Sequence, residues 1–346
     1  MTRVTRGREE GPTIEGVSRQ AEAVIFSGNG TATVGAVTLP PLDPDDVLIE
    51  TRVSVVSAGT EGWVLGDRFH WGGPSPYPLV PGYQKVGIVR EVGADVVGLA
   101  PGDRVFMTTS KLVGAVHAYW GGHVSLSQQV REEVIAVPPG VGDLDAANLV
   151  VAQVGYNAAS RPRLVGGEAA AVFGDGLIGQ MAAQALRARG TRVILCGRRP
   201  ARLALGARYS ADAVVDTRDR DARTAVRRIA PAGVDVVVDT GSVPDLALFL
   251  DILRERDGQI VLSSFYTDGL LVDADALQRR EIALLTNSGW TRPRLEATLD
   301  LMARGDIQVE PLITHRFPYQ EAPRAWQLIE ARDPAVLGVA FMWGDT

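Results

Sequence analysis

The sequence is poor in cysteine and contains no long apolar run. Its only cysteine is Cys196, which excludes both an intramolecular disulfide and a cysteine-rich zinc lobe. No stretch is apolar for long enough to span a bilayer, and the first 20 residues, MTRVTRGREEGPTIEGVSRQ, lack the apolar core of a signal peptide. We therefore expect a cytoplasmic protein without a membrane partner, in which residues 1–20 form a polar extension.

Basic residues are outnumbered by acidic ones. The chain has 35 Lys and Arg against 41 Asp and Glu, which gives a net charge of −6 and no broadly basic surface for nucleic acid or anionic lipid. Its 346 residues are 46% hydrophobic and 22% charged, which is typical of a globular protein with about two domains. A small molecule is therefore a better expectation than nucleic acid for its partner.

The most informative stretch is EAAAVFGDGLIGQMAAQALRARGTRVILCGRRP, residues 168–200. The pattern predicts a short buried strand over Ala169–Phe173 and a helix over residues 180–189, with a GxGxxG turn between them. Such glycines permit a tight turn, a close approach of the backbone to a pyrophosphate and close helix–strand packing, while the helix N-terminus faces the anion. We predict that a nucleotide is bound by Gly174, Asp175, Gly176, Leu177, Ile178 and Gly179.

The next predicted strand, residues 191–196, indicates which nucleotide is bound. It ends on Gly197-Arg198-Arg199, where an NAD-binding protein usually carries a carboxylate for the ribose 2′-hydroxyl. A guanidinium can instead hold a 2′-phosphate, and each charge-assisted hydrogen bond contributes about 1.5–3 kcal/mol. NADP(H) is therefore the predicted cofactor. The alternatives are a chance glycine pattern and a solvated arginine pair.

Two kinds of pattern follow one another along the chain. Residues 21–137 contain short apolar runs separated by Gly, Pro and Asp, which predicts a β-rich, barrel-like domain. Residues 168–287 alternate strands with helical stretches, which predicts a parallel doubly wound sheet. The segment after residue 294 returns to a helix, a strand, and a last helix and strand. We place the nucleotide domain at residues 156–294 and the other domain at residues 21–155 and 295–346.

Five motifs in this order resemble those of the medium-chain dehydrogenase/reductase superfamily, the alcohol dehydrogenase-like proteins. They are the dinucleotide turn, VSAGTE at 56–61, PGYQKVG at 81–87, VGLAPGDRV at 97–105 and PLITH at 311–315. The family counterparts of the second and third are G-I-C-x-T-D and P-G-H-E-x-x-G. The resemblance implies an α/β fold, with a GroES-like β-rich catalytic domain and a Rossmann domain.

The departures from the family pattern concern the metal. Zinc-binding members hold the catalytic ion through a Cys, a His and a further Cys or acidic residue, and the matching positions here are Ala58, Tyr83 and Val150. None of these residues ligates zinc as those do. We therefore expect no zinc, and no metal-assisted polarisation of a substrate oxygen.

Within the superfamily, the segments SAGTE, VPGYQ and LITHR look most like the zinc-lacking branch often labelled bacteriochlorophyllide a dehydrogenase-like. That resemblance implies interconversion of a secondary alcohol and a ketone on a sizeable, biosynthetic substrate. Zinc-free relatives also reduce activated C=C bonds, so an enoyl or quinone reductase is the alternative. A non-catalytic NADP(H)-binding protein is a third possibility, because a fold does not prove chemistry.

Without a metal, a side chain must donate a hydrogen bond and then a proton to the carbonyl oxygen. Thr60 matches the family position whose hydroxyl relays that proton, and Tyr83 replaces the zinc-binding His. Glu61 and Gln84 match positions that support the metal ligands in relatives, so they could orient water or a substrate hydroxyl. Each of the four could instead serve only its own loop or the pocket wall.

Further candidates lie in loops around the expected cleft. His70 and His123 could titrate there as acid or base. Aromatic residues concentrate in the same loops and predict a wide apolar pocket, although they could equally fill a core or a subunit contact: Trp63, Phe69, Trp71, Tyr119 and Trp120. The loops after two predicted parallel strands should line the nicotinamide end of the site, and they contribute Thr240, Gly241, Ser263, Ser264 and Phe265. By analogy with relatives, strand 281–287 predicts a homodimer.

Overall fold

The first half of the chain is mainly antiparallel β-structure in the computed structural model, which describes residues 18–68, 74–218, 221–243, 246–266 and 269–344. Arg19 and Gln20 pair with the second strand, so they belong to the sheet and not to the predicted extension, whose residues 1–17 lie outside the described part of the chain. The strands are β1 (Arg19–Phe26), β2 (Ala32–Leu39), β3 (Asp46–Val55), β4 (Leu79–Val80), β5 (Lys85–Val92), β6 (Arg104–Met107), β7 (His117–Ala118), β8 (Leu126–Val130) and β9 (Val134–Ala136).

These strands form two sheets, in agreement with the predicted β-rich domain. One sheet has the order β2-β1-β4-β7. In the other, β3 pairs antiparallel with β5 and with β8, and the sheet continues through β6 to β9. Three helices follow in this half: α1 (Ala58–Leu65), α2 (Asp143–Ala147) and α3 (Leu149–Ser160). The two glycines in AGTEGWVL weaken the helical pattern of α1, which explains why the sequence did not reveal it.

The middle of the chain forms a parallel six-stranded sheet. Its strands are β10 (Ala169–Phe173), β11 (Arg192–Gly197), β12 (Ala213–Asp216), β13 (Val236–Asp239), β14 (Gln259–Leu262) and β15 (Ala283–Thr286). Their spatial order, β12-β11-β10-β13-β14-β15, is that of a doubly wound dinucleotide-binding sheet. The connecting helices are α4 (Leu177–Ala188), α5 (Pro200–Tyr209), α6 (Ala222–Ile229), α7 (Leu246–Ile252) and α8 (Ala274–Arg279). The predicted α/β fold is therefore confirmed.

The C-terminal part returns to the β-rich domain. It comprises α9 (Arg292–Ala303), β16 (His315–Pro318), α10 (Ala322–Glu330) and β17 (Val339–Met342). β17 pairs antiparallel with β3 and parallel with β16, so the chain crosses back to the sheet that it left before the dinucleotide unit. The chain thus inserts the parallel sheet into the other domain; the exact domain limits stay a prediction.

Helices join the two domains. α3 packs against both α4 and α9, and a buried apolar cluster runs from β-rich residues such as Val55 and Phe106 to Met181 and Leu186 of α4. These three helices have 12 residues each. None of the helices in the described ranges has the length and apolar character needed to cross a membrane.

Candidate active site

The glycine-rich turn lies between the end of β10 and the start of α4. Gly174 has a φ of 116°, and a Cβ added there would collide with the Thr240 hydroxyl. A Cβ on Gly179 would collide with the carbonyl oxygen of Gly174, so the helix can pack this closely only with glycine. Gly176 precedes α4, and no atom lies within 4 Å of its added Cβ. Bare backbone at the N-terminus of a long helix therefore faces open space, which fits a phosphate.

Asp175 shapes the neighbouring arginine loop. Its Oδ2 accepts hydrogen bonds from the backbone N–H groups of Arg198 at 2.7 Å and Arg199 at 2.8 Å. Gly197 lies against the same carboxylate, because an added Cβ there would overlap it. The side chain of Arg198 is exposed and that of Arg199 is half-buried. The prediction of Asp175 as a cofactor contact stays a prediction; in the structure its carboxylate fixes the loop that carries the arginines.

A cavity of about 380 Å³ opens between the β-rich domain and the carboxyl ends of β14 and β15. This volume lies within the usual range for small-molecule sites. Seven residues predicted from the sequence line it: Thr60, Tyr83, Trp120, Ile178, Ser263, Ser264 and Phe265. The rest of its wall comes from Ser57, from Val150, Val151 and Val154 of α3, and from Asn287, Ser288, Gly289 and Trp290 after β15.

Tyr83 brings a phenol to the wall of this cavity. Its hydroxyl donates to the Oγ atom of Ser57 and also interacts with the Thr60 hydroxyl, so three hydroxyl groups meet at one place. The ring stacks on Trp290 at 5.3 Å between centroids and meets Trp120 edge-on at 5.1 Å. Burial raises the pKa of Tyr83 to about 12, the nearby charge of Glu61 adds to the rise, and the bonds with Ser57 and Thr60 oppose it. The phenol is therefore protonated at neutral pH and available as a donor.

A fully buried network holds the helix turn behind Tyr83. One Glu61 oxygen accepts from the Ser57 backbone N–H at 2.7 Å, and the other lies 2.8 Å from Nε2 of His123. Nδ1 of His123 lies 2.8 Å from the Oγ atom of Ser54, which also accepts from the Trp343 indole N–H. Because Trp343 occupies that oxygen as a donor, the Ser54 hydrogen can serve Nδ1, which favours the tautomer with its proton on Nε2, facing Glu61.

This network changes the role of two predicted catalytic residues. Glu61 and His123 have no exposed surface and are not among the residues that line the cavity. His123 was expected as an acid or base in a cleft loop; with both ring nitrogens bonded and the ring packed on Phe341 at 5.0 Å, it does not reach the cavity. We assign both residues to positioning.

Gln84 is likewise buried behind the site. Its amide nitrogen donates to Asn148 Oδ1 at 3.1 Å and to the Val55 carbonyl, and its oxygen accepts from the Val151 backbone N–H at 3.2 Å. Gln84 therefore ties β3 to the start of α3 and does not face the cavity. The expectation that it orients a substrate hydroxyl does not fit this geometry.

The positions that match the family's zinc ligands offer no ligand set. Tyr83 and Val150 both line the cavity, whereas Ala58 lines the groove next to it, and the Tyr83 hydroxyl is engaged with Ser57. Within the described ranges, one group of three potential metal ligands lies close together, and Lys111 already pairs with two of its members. That group is Asp43, Asp45 and Asp46.

Of the predicted pocket aromatics that lie in the described ranges, one lines the cavity. Trp120 does so from a left-handed backbone conformation with a φ of 67°, an uncommon one for a bulky residue and one associated with functional sites. Tyr119 packs edge-on against Trp120 at 4.6 Å, and Trp63 contacts Phe265 at 5.0 Å while lining the adjacent groove. The remaining predicted residues, Phe69, His70 and Trp71, lie outside the described residues.

The loops after β13 and β14 lie near the glycine-rich turn, because the carboxyl ends of parallel strands lie at the same edge of the sheet. The Thr240 hydroxyl donates to the Phe173 carbonyl at 2.9 Å, and Gly241 lies beside Gly174. Ser264 accepts from the backbone N–H of Ser242, whereas the Oγ atom of Ser263 is buried without a hydrogen-bond partner among the described residues. Behind them, burial raises the pKa of Asp239, which accepts from the Tyr266 hydroxyl.

Sequence reasoning did not predict the other residues of the cavity wall, and three of these carry polar or aromatic groups of interest: Ser57, Asn287 and Trp290. Ser57 lies in the VSAGTE motif, three residues before the predicted residue Thr60. The motif was therefore the sequence signal that could have identified Ser57. Asn287 and Trp290 follow β15 and carry no local motif. Only the pairing of β14 with β15 brings them to the cavity.

Two family models match the chain, a zinc-binding dehydrogenase model over residues 178–304 and an alcohol dehydrogenase GroES-like domain over residues 43–138. Among curated relatives, 2-desacetyl-2-hydroxyethyl bacteriochlorophyllide A dehydrogenase of Rhodobacter capsulatus is 28% identical, covering 94% of this chain and 99% of its own length. Sorbitol dehydrogenase of Halalkalibacterium halodurans is 25% identical, with coverages of 90% and 96%.

A solved structure from Sinorhizobium meliloti 1021, provisionally described as a zinc-binding dehydrogenase and bound to NADP, superposes with a TM-score of 0.79 at 22% identity. The match covers 94% of this chain and 99% of that one, which supports the fold. The paired domain models cover well over half of the chain, and the relatives extend along nearly all of it. The chain belongs to the medium-chain dehydrogenase/reductase superfamily, the alcohol dehydrogenase-like proteins.

Proposed function

We propose that this protein is a zinc-independent, NADP(H)-dependent oxidoreductase that interconverts a secondary alcohol and a ketone on a sizeable substrate. The observation that carries the proposal is the hydroxyl cluster of Tyr83, Ser57 and Thr60 on the wall of the 380 Å³ cavity, in which Tyr83 replaces the zinc-binding His of the family pattern. A donor group thus stands where a metal would otherwise polarise the substrate oxygen.

The residues around the cavity fit a nicotinamide cofactor. The bare backbone of the turn at Gly176 suits the pyrophosphate, and the arginine loop suits a 2′-phosphate. Two buried polar atoms at the cavity, Ser263 Oγ and Asn287 Oδ1, have no partner among the described residues and could bond a carboxamide. When bound, NADPH would supply the hydride that reduces the carbonyl carbon.

Tyr83 then acts on the carbonyl oxygen. Its protonated phenol turns its single O–H from Ser57 to the substrate oxygen as negative charge develops there, and the proton transfers because an alkoxide is a stronger base than a phenolate. Ser57 and Thr60 lie in contact with the phenol and can return a proton to it from the cavity. The products of reduction are the alcohol and oxidised cofactor; oxidation runs through the same steps in reverse.

The cavity wall favours a substrate with a large apolar or aromatic surface. Trp120 and Trp290 flank Tyr83, and Val150, Val151 and Val154 cover one side. Rigid aromatic faces of this kind stack well on flat ring systems.

Product analysis with an α,β-unsaturated ketone separates the proposal from its alternatives. With NADPH, we expect the allylic alcohol, because the phenol addresses the carbonyl oxygen. A saturated ketone would instead support an enoyl or quinone reductase. Tight binding of NADPH without turnover on a panel of ketones of increasing ring number would support a non-catalytic role.

Zinc independence makes a separate prediction. Protein purified from zinc-supplemented cells should contain far less than one zinc per chain by elemental analysis, because Ala58 and Val150 provide no donor and Tyr83 is bonded to Ser57. Prolonged chelator treatment should leave both turnover and thermal stability unchanged. A stoichiometric metal content, or inactivation that zinc reverses, would contradict this assignment.

We also propose a homodimer. β15 ends the order of the parallel sheet and pairs on one side with β14, so among the described residues its other edge has no strand partner. Such an edge can be covered by the same strand of a second copy.

A further inference from the structure

A second opening lies beside the cavity, on the other side of α1, and its chemistry is different. This arginine groove, as we call it, has a volume of about 440 Å³ and is lined by four arginines from both domains. Arg199 and Arg202 come from the dinucleotide-binding unit. Arg68 and Arg332 come from the segments that follow α1 and α10.

The groove carries an excess of positive charge. Two carboxylates, those of Glu330 and Asp333, face its four guanidinium groups. Asp175 is the nearest further carboxylate to Arg202, at 3.8 Å, and its other oxygen is already used by the Arg198 and Arg199 backbone. The groove therefore offers more donors than its own acidic groups can satisfy.

Arg202 shows this imbalance most clearly. About a fifth of its side chain is exposed, and its Nε atom is buried without a hydrogen-bond partner among the described residues. Burial lowers the pKa of Arg202, and the charge of Arg199 lowers it further. A buried cation beside a like charge is stabilised by a bound anion that accepts the remaining hydrogen bonds.

The two domains meet at these arginines. Arg199 donates to the Asp333 carbonyl and Arg202 to the Val336 carbonyl, both in the segment between α10 and β17. Arg332, in the same segment, has a φ of 53°, an uncommon backbone conformation for a residue other than glycine. The segment from the catalytic domain is thus held directly over the arginine loop.

The groove and the cavity are both lined by residues at the start of α1. Thr60 of α1 faces the cavity, whereas Gly59 and Gly62 face the groove, and no atom lies within 4 Å of a Cβ added to either glycine. An extended dinucleotide can therefore pass along this bare helix face with its two ends in the two openings.

We propose that the arginine groove binds the 2′-phosphate of NADP(H) between the domains, with Arg199 and Arg202 on one side and Arg332 on the other. This inference rests on the proposed cofactor and adds residues that the sequence did not indicate. The proposal assigns selectivity for NADP(H) over NAD(H) to Arg202 and to Arg332 of the opposite domain. Arg198 has no part in it, because Arg198 does not line the groove. The phosphomonoester bridges the domains through charge-assisted hydrogen bonds.

Calorimetric titration with fragments of the cofactor tests this directly, without turnover. The probes are 2′,5′-ADP, 5′-ADP and inorganic phosphate. We expect the wild-type protein to bind 2′,5′-ADP more tightly than 5′-ADP, and Arg202→Gln and Arg332→Gln each to weaken 2′,5′-ADP by about tenfold, which corresponds to one charge-assisted bond. Binding of 5′-ADP should change less than twofold in both variants.

Matched controls are Arg208→Gln on α5 and Arg324→Gln on α10, exposed arginines that do not line the groove. Both should bind 2′,5′-ADP as the wild type does.

Three outcomes would contradict the inference. Unchanged 2′,5′-ADP affinity in Arg202→Gln and Arg332→Gln, or equal losses of affinity for both nucleotides, would overturn the groove assignment but not the proposal that NADP(H) is the cofactor. A wild type that binds 5′-ADP as tightly as 2′,5′-ADP would overturn the cofactor itself. Phosphate binding as tight as 2′,5′-ADP binding would indicate a free-anion site and also overturn the inference.

If Arg202→Gln lowers the melting temperature, the test rests on Arg332→Gln, because Arg332 is exposed and its replacement is expected to leave the fold intact.

Discussion

Replacing Tyr83 with phenylalanine is expected to lower kcat for ketone reduction by about 10²- to 10⁴-fold, the usual contribution of a positioned proton donor. The variant keeps the ring that stacks on Trp290 and packs against Trp120, so the cavity retains its shape. What it loses is the hydroxyl that meets Ser57 and Thr60. NADPH affinity, measured by quenching of protein fluorescence, should stay within about threefold, since the phenol does not line the arginine groove.

The pH profile sharpens the test. Because burial raises the pKa of Tyr83 to about 12, its proton is present at every pH at which the protein is assayed. The rate of reduction should therefore show no alkaline loss attributable to this group below about pH 11. Tyr209→Phe, which removes the hydroxyl of a half-buried tyrosine at the end of α5, is the matched control and should leave kcat unchanged. A Tyr83→Phe variant with at least a third of wild-type kcat would contradict the proposed donor.

The sequence was most informative where chemistry is local. The glycines at 174, 176 and 179 all lie in one strand–turn–helix unit, so their spacing alone predicted the turn that the structure contains. The spacing of apolar residues changes along the chain, and this change predicted that the unit is inserted into a β-rich domain. Both depend on short-range geometry that every member of a fold class must satisfy.

Predictions failed or were incomplete for residues whose burial and position depend on tertiary packing. A loop position does not reveal burial, so His123 was expected in the cleft, although β3 and α1 enclose it and bond both nitrogens. Trp290 reaches the cavity only because β15 lies at the end of the parallel sheet. Arg202 lies in the first turn of α5, beyond the loop where a 2′-phosphate contact is usually sought, and the segment between α10 and β17 that covers it is more than a hundred residues away.

The buried Glu61–His123 pair carries the second large prediction. Removing one partner leaves the other buried with unsatisfied hydrogen bonds, which typically costs about 3–5 kcal/mol. His123→Ala should therefore lower the melting temperature by several degrees and reduce the soluble yield. His315→Ala, at a half-buried histidine of β16 that contacts Thr314, is the matched control and should change the melting temperature by a degree or two at most.

A milder change separates positioning from simple stability. Glu61→Asp shortens the side chain, so it cannot reach both the Ser57 N–H and Nε2 of His123, which now lie at 2.7 and 2.8 Å from its two oxygens. We expect the turn at Ser57 to shift away from the Tyr83 hydroxyl, with kcat falling about tenfold or more at temperatures where the variant is folded. The KM for NADPH should be unaffected, because Glu61 touches neither the glycine-rich turn nor the arginine groove. A variant that loses stability but keeps wild-type kcat would show that the pair serves the fold alone. In the proposed mechanism, the same carboxylate supports the helix turn and, through Ser57, the proton donor Tyr83.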